Sequence, residues 1–321
     1  KEPLTKHPPY PIYLLFCSKL GNKVNILNID TCPLCGKTHF EEVMTCTDHY
    51  ATGEKFTIYR CKACGFLFTQ HVPDESEIGR YYDRRIIFSH TDTRKGLANR
   101  LYHYVRGFML GRKASLIERI CGTRNGSLLD IGTGTGYFSH FMQKRGWKVS
   151  AIEKSPQARA FAKEHFELMV EAPEALATYS KGSFDVITLW HVMEHLQDIN
   201  GTWKRLADML KERGVLVVAV PNPVSFDAQH YREMWAAYDV PRHLWHFTPS
   251  VMQQFGAKYD FILTERHPMP FDAFYVSMLS EKYQGGRMPF LKGMIKGTEA
   301  WFASLVKKEQ SSSMIYVFRK K

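Results

Sequence analysis

Leu128-Leu129-Asp130-Ile131-Gly132-Thr133-Gly134-Thr135-Gly136 is the stretch that decides the fold. It predicts a buried strand ending in a carboxylate, then a glycine loop, then a helix over residues 137–145. Glycine at every second position lets the backbone turn tightly and approach a ligand with no Cβ in the way. The spacing is not the dinucleotide fingerprint G-x-G-x-x-G. Counted from Gly132 the third glycine falls on Tyr137, and counted from Gly134 it falls on Ser139. A carboxylate just before the loop repels a pyrophosphate and favours a ligand bearing an ammonium group.

S-adenosylmethionine has that ammonium, no phosphate, and a ribose diol that an acidic side chain can grip. Glu153, ending a strand over Lys148–Ile152, stands where the grip is needed. These residues resemble the class I S-adenosylmethionine-dependent methyltransferases, over roughly residues 97–321. The later run Phe184-Asp185-Val186-Ile187-Thr188-Leu189-Trp190-His191-Val192-Met193-Glu194-His195-Leu196 is similar to the fourth strand and following helix of the small-molecule branch, which includes ubiquinone-type O-methyltransferases. The resemblance implies a donor site on Asp130, Gly132, Thr133, Gly134, Gly136 and Glu153. It implies an adenine lying against Ala172 and Pro173, with Leu189 and Trp190 bordering the pocket.

Strands expected at 127–131, 148–152, 168–170, 184–190 and 215–220 alternate with helices, and 261–266 and 314–319 complete the set. Near-continuous apolar runs such as Val186 to Trp190 fit a parallel sheet covered on both faces. The expected fold is a doubly wound α/β domain with a seven-stranded, mostly parallel sheet, preceded by a small zinc ribbon. Ligands in such sheets bind outside the carboxyl ends of the strands. The expected division is an N-terminal arm and ribbon over 1–72, a linker over 73–96 with a short helix near 75–82, and the transferase domain over 97–321.

Hydrophobic content of 44% in 321 residues suits a packed protein and excludes a disordered one. No apolar run approaches the ~20 residues that span a bilayer. Residues 10–16 read as an edge strand or docking arm, and nothing after them resembles a signal-peptidase site. The net charge of +11 permits a polyanionic partner, but it is spread along the chain. Residues 94–113 carry Leu97, Leu101, Val105, Phe108 and Met109 at near-helical spacing, as expected of an amphipathic helix (97–120) with a solvated basic face.

Cys32-Pro33-Leu34-Cys35-Gly36 and Cys61-Lys62-Ala63-Cys64-Gly65 are matched knuckles with structural-zinc spacing, which points to a reducing, cytoplasmic compartment. They resemble zinc ribbons fused in front of bacterial methyltransferases, including some sugar C-methyltransferases. Four thiolates close the zinc sphere, so His39 and His49 are not needed. Cys17, Cys46 and Cys121 are expected as small buried residues.

Methyl transfer from a sulfonium is an in-line displacement, and a hydroxyl acceptor must also lose a proton. His191 is the first candidate base and His243 the second, with a rate rising through a pKa near ~6.5. His191, Glu194 and His195 share one face if a helix begins there. Glu194 and His195 read as a cap and packing pair, or as part of a metal site. The metal reading comes from a resemblance to the Glu-x-x-Glu-His segment of small-RNA 2′-O-methyltransferases, with His191 replacing the first Glu. In residues 239–249, His243 and His246 are three apart and one of them is expected to pack inside. Arg242 meets either an anionic acceptor or a surface carboxylate. Pro221-Asn222-Pro223 follows the fifth strand and is discounted as an amino-methylation motif. The expected function is methyl transfer to an oxygen or carbon of a small-molecule acceptor. The alternatives are an RNA methyltransferase gripping nucleic acid with its ribbon, and a binding module on an inactive fold; oligomeric state is left open.

Overall fold

The computed structural model describes residues 25–82 and 97–321, except for the side chains of 97–103. The arm at 10–16, Cys17 and the linker beyond residue 82 lie outside the described residues. The N-terminal strands are β1 (Ile26–Leu27), β2 (Phe40–Thr47), β3 (Lys55–Cys61), β4 (Leu67–Thr69) and β5 (Val72–Pro73). Ile78–Tyr81 is a short 3-10 turn, not the longer helix expected there.

The second part runs α1 (Leu97–Cys121), β6 (Ser127–Ile131), α2 (Tyr137–Lys144), β7 (Lys148–Ile152), α3 (Pro156–Phe166), β8 (Val170–Glu171), β9 (Phe184–Trp190), α4 (Ile199–Met209) and β10 (Leu210–Pro221). It continues with α5 (Phe226–Tyr231), β11 (Trp245–His246), α6 (Pro249–Lys258), β12 (Phe261–Pro268), α7 (Asp272–Tyr283), α8 (Pro289–Val306) and β13 (Ser313–Lys320). Strand order in the large sheet is β12-β13-β10-β9-β6-β7-β8, and only β13 runs antiparallel to its neighbours. The seven-stranded doubly wound architecture expected from the sequence is therefore present. The chain winds from β6 outward to β8, then returns to β9 on the other side of β6. This reversal opens a crevice at the carboxyl ends of β6 and β9.

The apolar runs divide by alternation. Leu128, Val186 and Val217 face α1 and α2, while Leu129, Ile187 and Val218 face α4 and α6. The second core continues into the cysteine unit without a break. Phe66, fully buried, stacks on Trp245 at 5.5 Å and also meets Phe247 and Phe255. β11 adds to β4, with Trp245 opposite Phe68 and His246 opposite Leu67. The small sheet thus takes its fourth strand from beyond residue 240.

Two local expectations are corrected. No helix begins at His191. Its amide still bonds the Ala219 carbonyl (2.9 Å), but its φ of +58° turns the chain, and Met193–His195 is only a 3-10 turn. Helix α4 starts where Asp198 accepts the Gly201 amide as a cap (2.8 Å). In α1, Val105 and Phe108 are exposed, and the buried contacts come later, at Ala114, Ile117 and Ile120. Among the described side chains, Val105 and Phe108 are therefore not part of the packing face of α1.

Candidate active site

The loop after β6 is built from three glycines that differ in what surrounds them. Gly132, Gly134 and Gly136 have φ of +72°, +58° and +83°, a region that L side chains enter at a cost. A Cβ on Gly132 would stand 2.3 Å from Val192, and one on Gly136 would stand 2.8 Å from Leu168. Nothing lies within 4 Å of such an atom at Gly134, so the middle of the loop faces open space. The Gly134 amide donates to Glu153 Oε2 (2.9 Å), and the Ser155 amide donates to Oε1 (2.8 Å). Glu153 therefore fixes the loop as well as presenting its charge at the end of β7. Thr133 Oγ1 shares a hydrogen bond with Ser139 (2.8 Å). Ala172 and Pro173, half-buried, lie at the turn after β8.

Asp130 is buried, with Ser139 donating to one oxygen (2.9 Å) and Thr188 to the other (2.7 Å). Burial raises its pKa, and the hydroxyls of Thr188, Thr133 and Ser139 and the charge of Lys113 work against that rise. Leu189 is sealed in the core, so of the pair flagged beside the donor site only Trp190 presents surface. The Lys113 ammonium sits 4.1 Å from the centre of the Trp190 ring. Burial lowers the Lys113 pKa against the pull of Asp272 and Asp130.

His191 stands between two carboxylates. Its Nε2 lies 3.2 Å from Asp272 Oδ2 and its Nδ1 lies 3.4 Å from Glu194 Oε1. Burial alone would lower its pKa, but the two acids outweigh it and hold the ring up to about 9. Asp272 and Lys113 were not found from the sequence. Each sits on a helix remote from the strand motifs, and neither carries a local signal.

Behind His191 lies a buried polar cluster. Glu194 is 1% exposed, and among the described residues neither of its oxygens has a hydrogen bond of good geometry. His195 donates Nδ1–H to the Arg242 carbonyl, and His243 donates Nδ1–H to the Ala237 carbonyl, each at 2.9 Å. The His195 Nε2 is left as an acceptor, and the His243 Nε2 lies 3.8 Å from Asp239 Oδ2. One ligand atom from each of Glu194, His195 and His243 falls within 4.8 Å of the others. Burial, and then the neighbouring His243, lower the His195 pKa to about 4. His246, lowered to about 3, bonds Thr69 (3.0 Å) and packs inside, and His243 is buried too, so both histidines of the pair are inside and not one alone. Arg242 takes the expected salt bridge to a carboxylate, but from a buried position. It donates to Asp239, to Asp48 (3.1 Å) and to the Tyr81 carbonyl (2.6 Å), which ties this segment to the N-terminal unit. Asn222 is consumed by the Glu309 and Ser311 carbonyls, consistent with discounting its motif.

The four paired cysteines converge. Cys32 and Cys64 sulfurs are 3.6 Å apart, Cys35 and Cys61 sulfurs are 3.5 Å apart, and all four lie within 4.8 Å. A tetrahedron with Zn–S of about 2.3 Å has edges of roughly 3.8 Å. Gly36 and Gly65 turn with positive φ and bond back to the Cys32 and Cys61 carbonyls, so the two knuckles are copies of one another. His49 instead stacks on Tyr283. Cys46 is buried and Cys121 is partly so. Phe66 and Phe68 have no exposed surface and offer no platform for stacking bases, which removes support for the RNA reading.

Residues 103–265 match the family model described as a methyltransferase domain. The ubiquinone biosynthesis O-methyltransferase of Xanthomonas oryzae pv. oryzae (strain PXO99A) is 30% identical over 129 residues, which make up 37% of this chain and 54% of that protein. Its namesake from Azoarcus sp. (strain BH72) is 30% identical over 129 residues, covering 38% and 55%. The chain thus spans about half the length of these curated relatives. Among solved structures, Burkholderia thailandensis 1,6-didemethyltoxoflavin-N1-methyltransferase aligns with a TM-score of 0.47 at 12% identity, over 86% of this chain and 99% of that one.

Proposed function

Because the chain belongs to the methyltransferase-domain family, we propose that it transfers a methyl group from S-adenosylmethionine to an oxygen or carbon of a small-molecule acceptor. The acceptor class is a sugar-nucleotide, lipid-linked or aromatic intermediate. One observation carries this reading: the open, left-handed turn at Gly134, pinned to Glu153, at the crevice where the strand order reverses. The donor supplies an electrophilic methyl on sulfur. Asp130, Gly132, Thr133, Gly134, Gly136, Glu153, Ala172, Pro173 and Trp190 are the proposed donor contacts. Glu153 has acceptor capacity for a diol beyond the two amides it already holds.

The acceptor is assigned to the cleft between α1 and the turn into α7, lined by Met109, Lys113, Leu116, Met269, Phe271 and Ile315. This cleft adjoins Asp272 and hence His191, the first candidate for proton removal; His243 is the second. Calorimetry with S-adenosylmethionine tests the donor half. Trapping of radiolabelled methyl in a cell extract of small molecules tests the acceptor half.

A second reading is favoured by the buried Glu194 carboxylate, which has the His191 ring 3.4 Å away but, among the described residues, no hydrogen bond of good geometry. Glu194, His195 and His243 would hold a divalent cation, with each imidazole oriented by a backbone carbonyl as ligating histidines are. Such an ion would polarise an acceptor hydroxyl. Separately, Cys32, Cys35, Cys61 and Cys64 are proposed to hold one structural zinc. The division at 72 and 96 is retained as a proposal about folding units, with β11 reaching across it. Among the described residues no helix is long and apolar enough to cross a membrane; the paired thiols favour a reducing, cytoplasmic setting.

A further inference from the structure

Helix α8 is turned inside out for a water-facing helix. It packs antiparallel on α7 through Gly293 and Gly297, and Ala300 and Ser304, at the same helical face, are buried as well. A Cβ on Gly293 would stand 2.5 Å from the Met278 backbone, and one on Gly297 would stand 2.7 Å from that of Phe274. The small side chains are therefore spent on the protein. The large ones point away: Phe290, Leu291, Ile295, Phe302, Leu305 and Val306 are all exposed, Phe290 by 68% and Phe302 by 57%. A stripe of this kind on one helix is a partner surface, since scattered exposed apolar residues do not align.

The charge around the stripe says which partner. Arg287 and Lys292 stand at one end of α8, Lys307 and Lys308 at the other. Among the described residues none of the four has an acid within ion-pair distance, and Lys296 is matched by Glu299 (2.8 Å). Two copies joined through this face would bring their cations together. Residues 1–24 hold Lys1, Lys6, Lys19 and Lys23 against the single acid Glu2, so their charge also opposes them as a cover. An apolar strip with cations at both ends matches an anionic lipid surface, where a helix about 27 Å long lies flat and its flanking lysines reach the phosphates.

We propose that α8 docks the protein onto membranes containing anionic lipids, without crossing them. This goes beyond the methyl-transfer reading and stands or falls separately from it.

The experiment is sedimentation of the full chain with vesicles of phosphatidylcholine alone and with about one third phosphatidylglycerol. The wild type is expected to sediment with the anionic vesicles, at least about tenfold more than with the neutral ones, and to be released by ~1 M salt. Phe302→Asp with Leu305→Asp should lower this by at least about tenfold while circular dichroism stays that of the wild type. Lys292→Glu with Lys307→Glu, which leaves the apolar strip intact, should weaken it as well. Equal sedimentation of wild type and both double variants would overturn the proposal. So would a wild-type dimer that Leu305→Asp dissociates. So would vesicle binding that emerges only after removal of residues 1–24.

Discussion

Asp272, the first residue of α7, places Oδ2 3.2 Å from Nε2 of His191, the left-handed residue that follows β9. This pairing changes the expected pH behaviour of the site. A free histidine would titrate near ~6.5. His191, with Glu194 on its other nitrogen, is held up to about 9, so below that pH the ring keeps its proton and accepts none.

The histidine ring signals of the full chain should therefore include one that titrates near pH 9 by NMR, absent in His191→Gln. Asp272→Asn removes one stabilising charge, so the midpoint should fall by roughly one to three pH units. If His191 serves as base, the transfer rate should rise through the same midpoint and shift with it. A midpoint unchanged in Asp272→Asn would mean that the contact does not set the proton's affinity.

Gly132 and Gly134 should separate folding from binding. Gly132→Ala drives a Cβ into Val192 at a positive φ, and a loss of about 2–4 kcal/mol in urea unfolding is expected. Gly134→Ala meets nothing, so it should cost only about 1 kcal/mol of stability. Its methyl stands where a ligand would approach, so donor affinity should fall by at least about tenfold, or 1.4 kcal/mol. The reverse pattern would place the ligand on the other side of the loop.

One zinc per chain is expected on the four paired cysteines, by elemental analysis. Because Phe66 and Phe68 share a core with Trp245 and Phe255, loss of the ion should not stay local. Cys61→Ser should open residues 25–72 to protease and loosen 243–258 with them, while β6 to β9 stay protected in hydrogen exchange. Protection of 243–258 unchanged in the variant would show that the two parts fold independently.

The buried carboxylate yields a prediction that needs no substrate. After chelation and reloading, manganese should bind with an electron paramagnetic resonance signature of one site with nitrogen and oxygen ligands, distinct from the thiolate site, which prefers softer ions. Glu194→Gln should weaken it by about 10–100-fold. Manganese that binds Glu194→Gln as it binds the wild type would leave Glu194 as a partner of His191 alone.

What the sequence disclosed follows from where the information is local. Short apolar stretches ending at a loop or an acidic residue are local signals, so Ser127–Ile131, Lys148–Ile152 and Phe184–Trp190 were legible to the residue, the last from its near-continuous apolar run. The knuckles and the glycine loop were legible for the same reason. β10 begins earlier than expected, at Leu210, because a register irregularity between Leu210 and Val215 absorbs the polar residues there. β8 is Val170–Glu171, leaving Leu168 buried outside it. Contacts set by tertiary docking left no trace. The reach of β11 to β4 depends on a two-residue strand, and the meeting of His191 with Asp272 depends on how α7 lands on the sheet edge. The misplaced helix at His191 arose because i, i+3, i+4 spacing is silent about a left-handed residue at its first position.

The central claim is most directly tested by isothermal titration of S-adenosylmethionine into the wild type and Glu153→Ala. The account predicts wild-type binding on the order of −5 to −8 kcal/mol. It predicts a loss of about 1–3 kcal/mol in Glu153→Ala, from the unmet diol and the released Gly134 turn. Equal affinity in the two proteins, or a wild type that binds NAD and not S-adenosylmethionine, would contradict it.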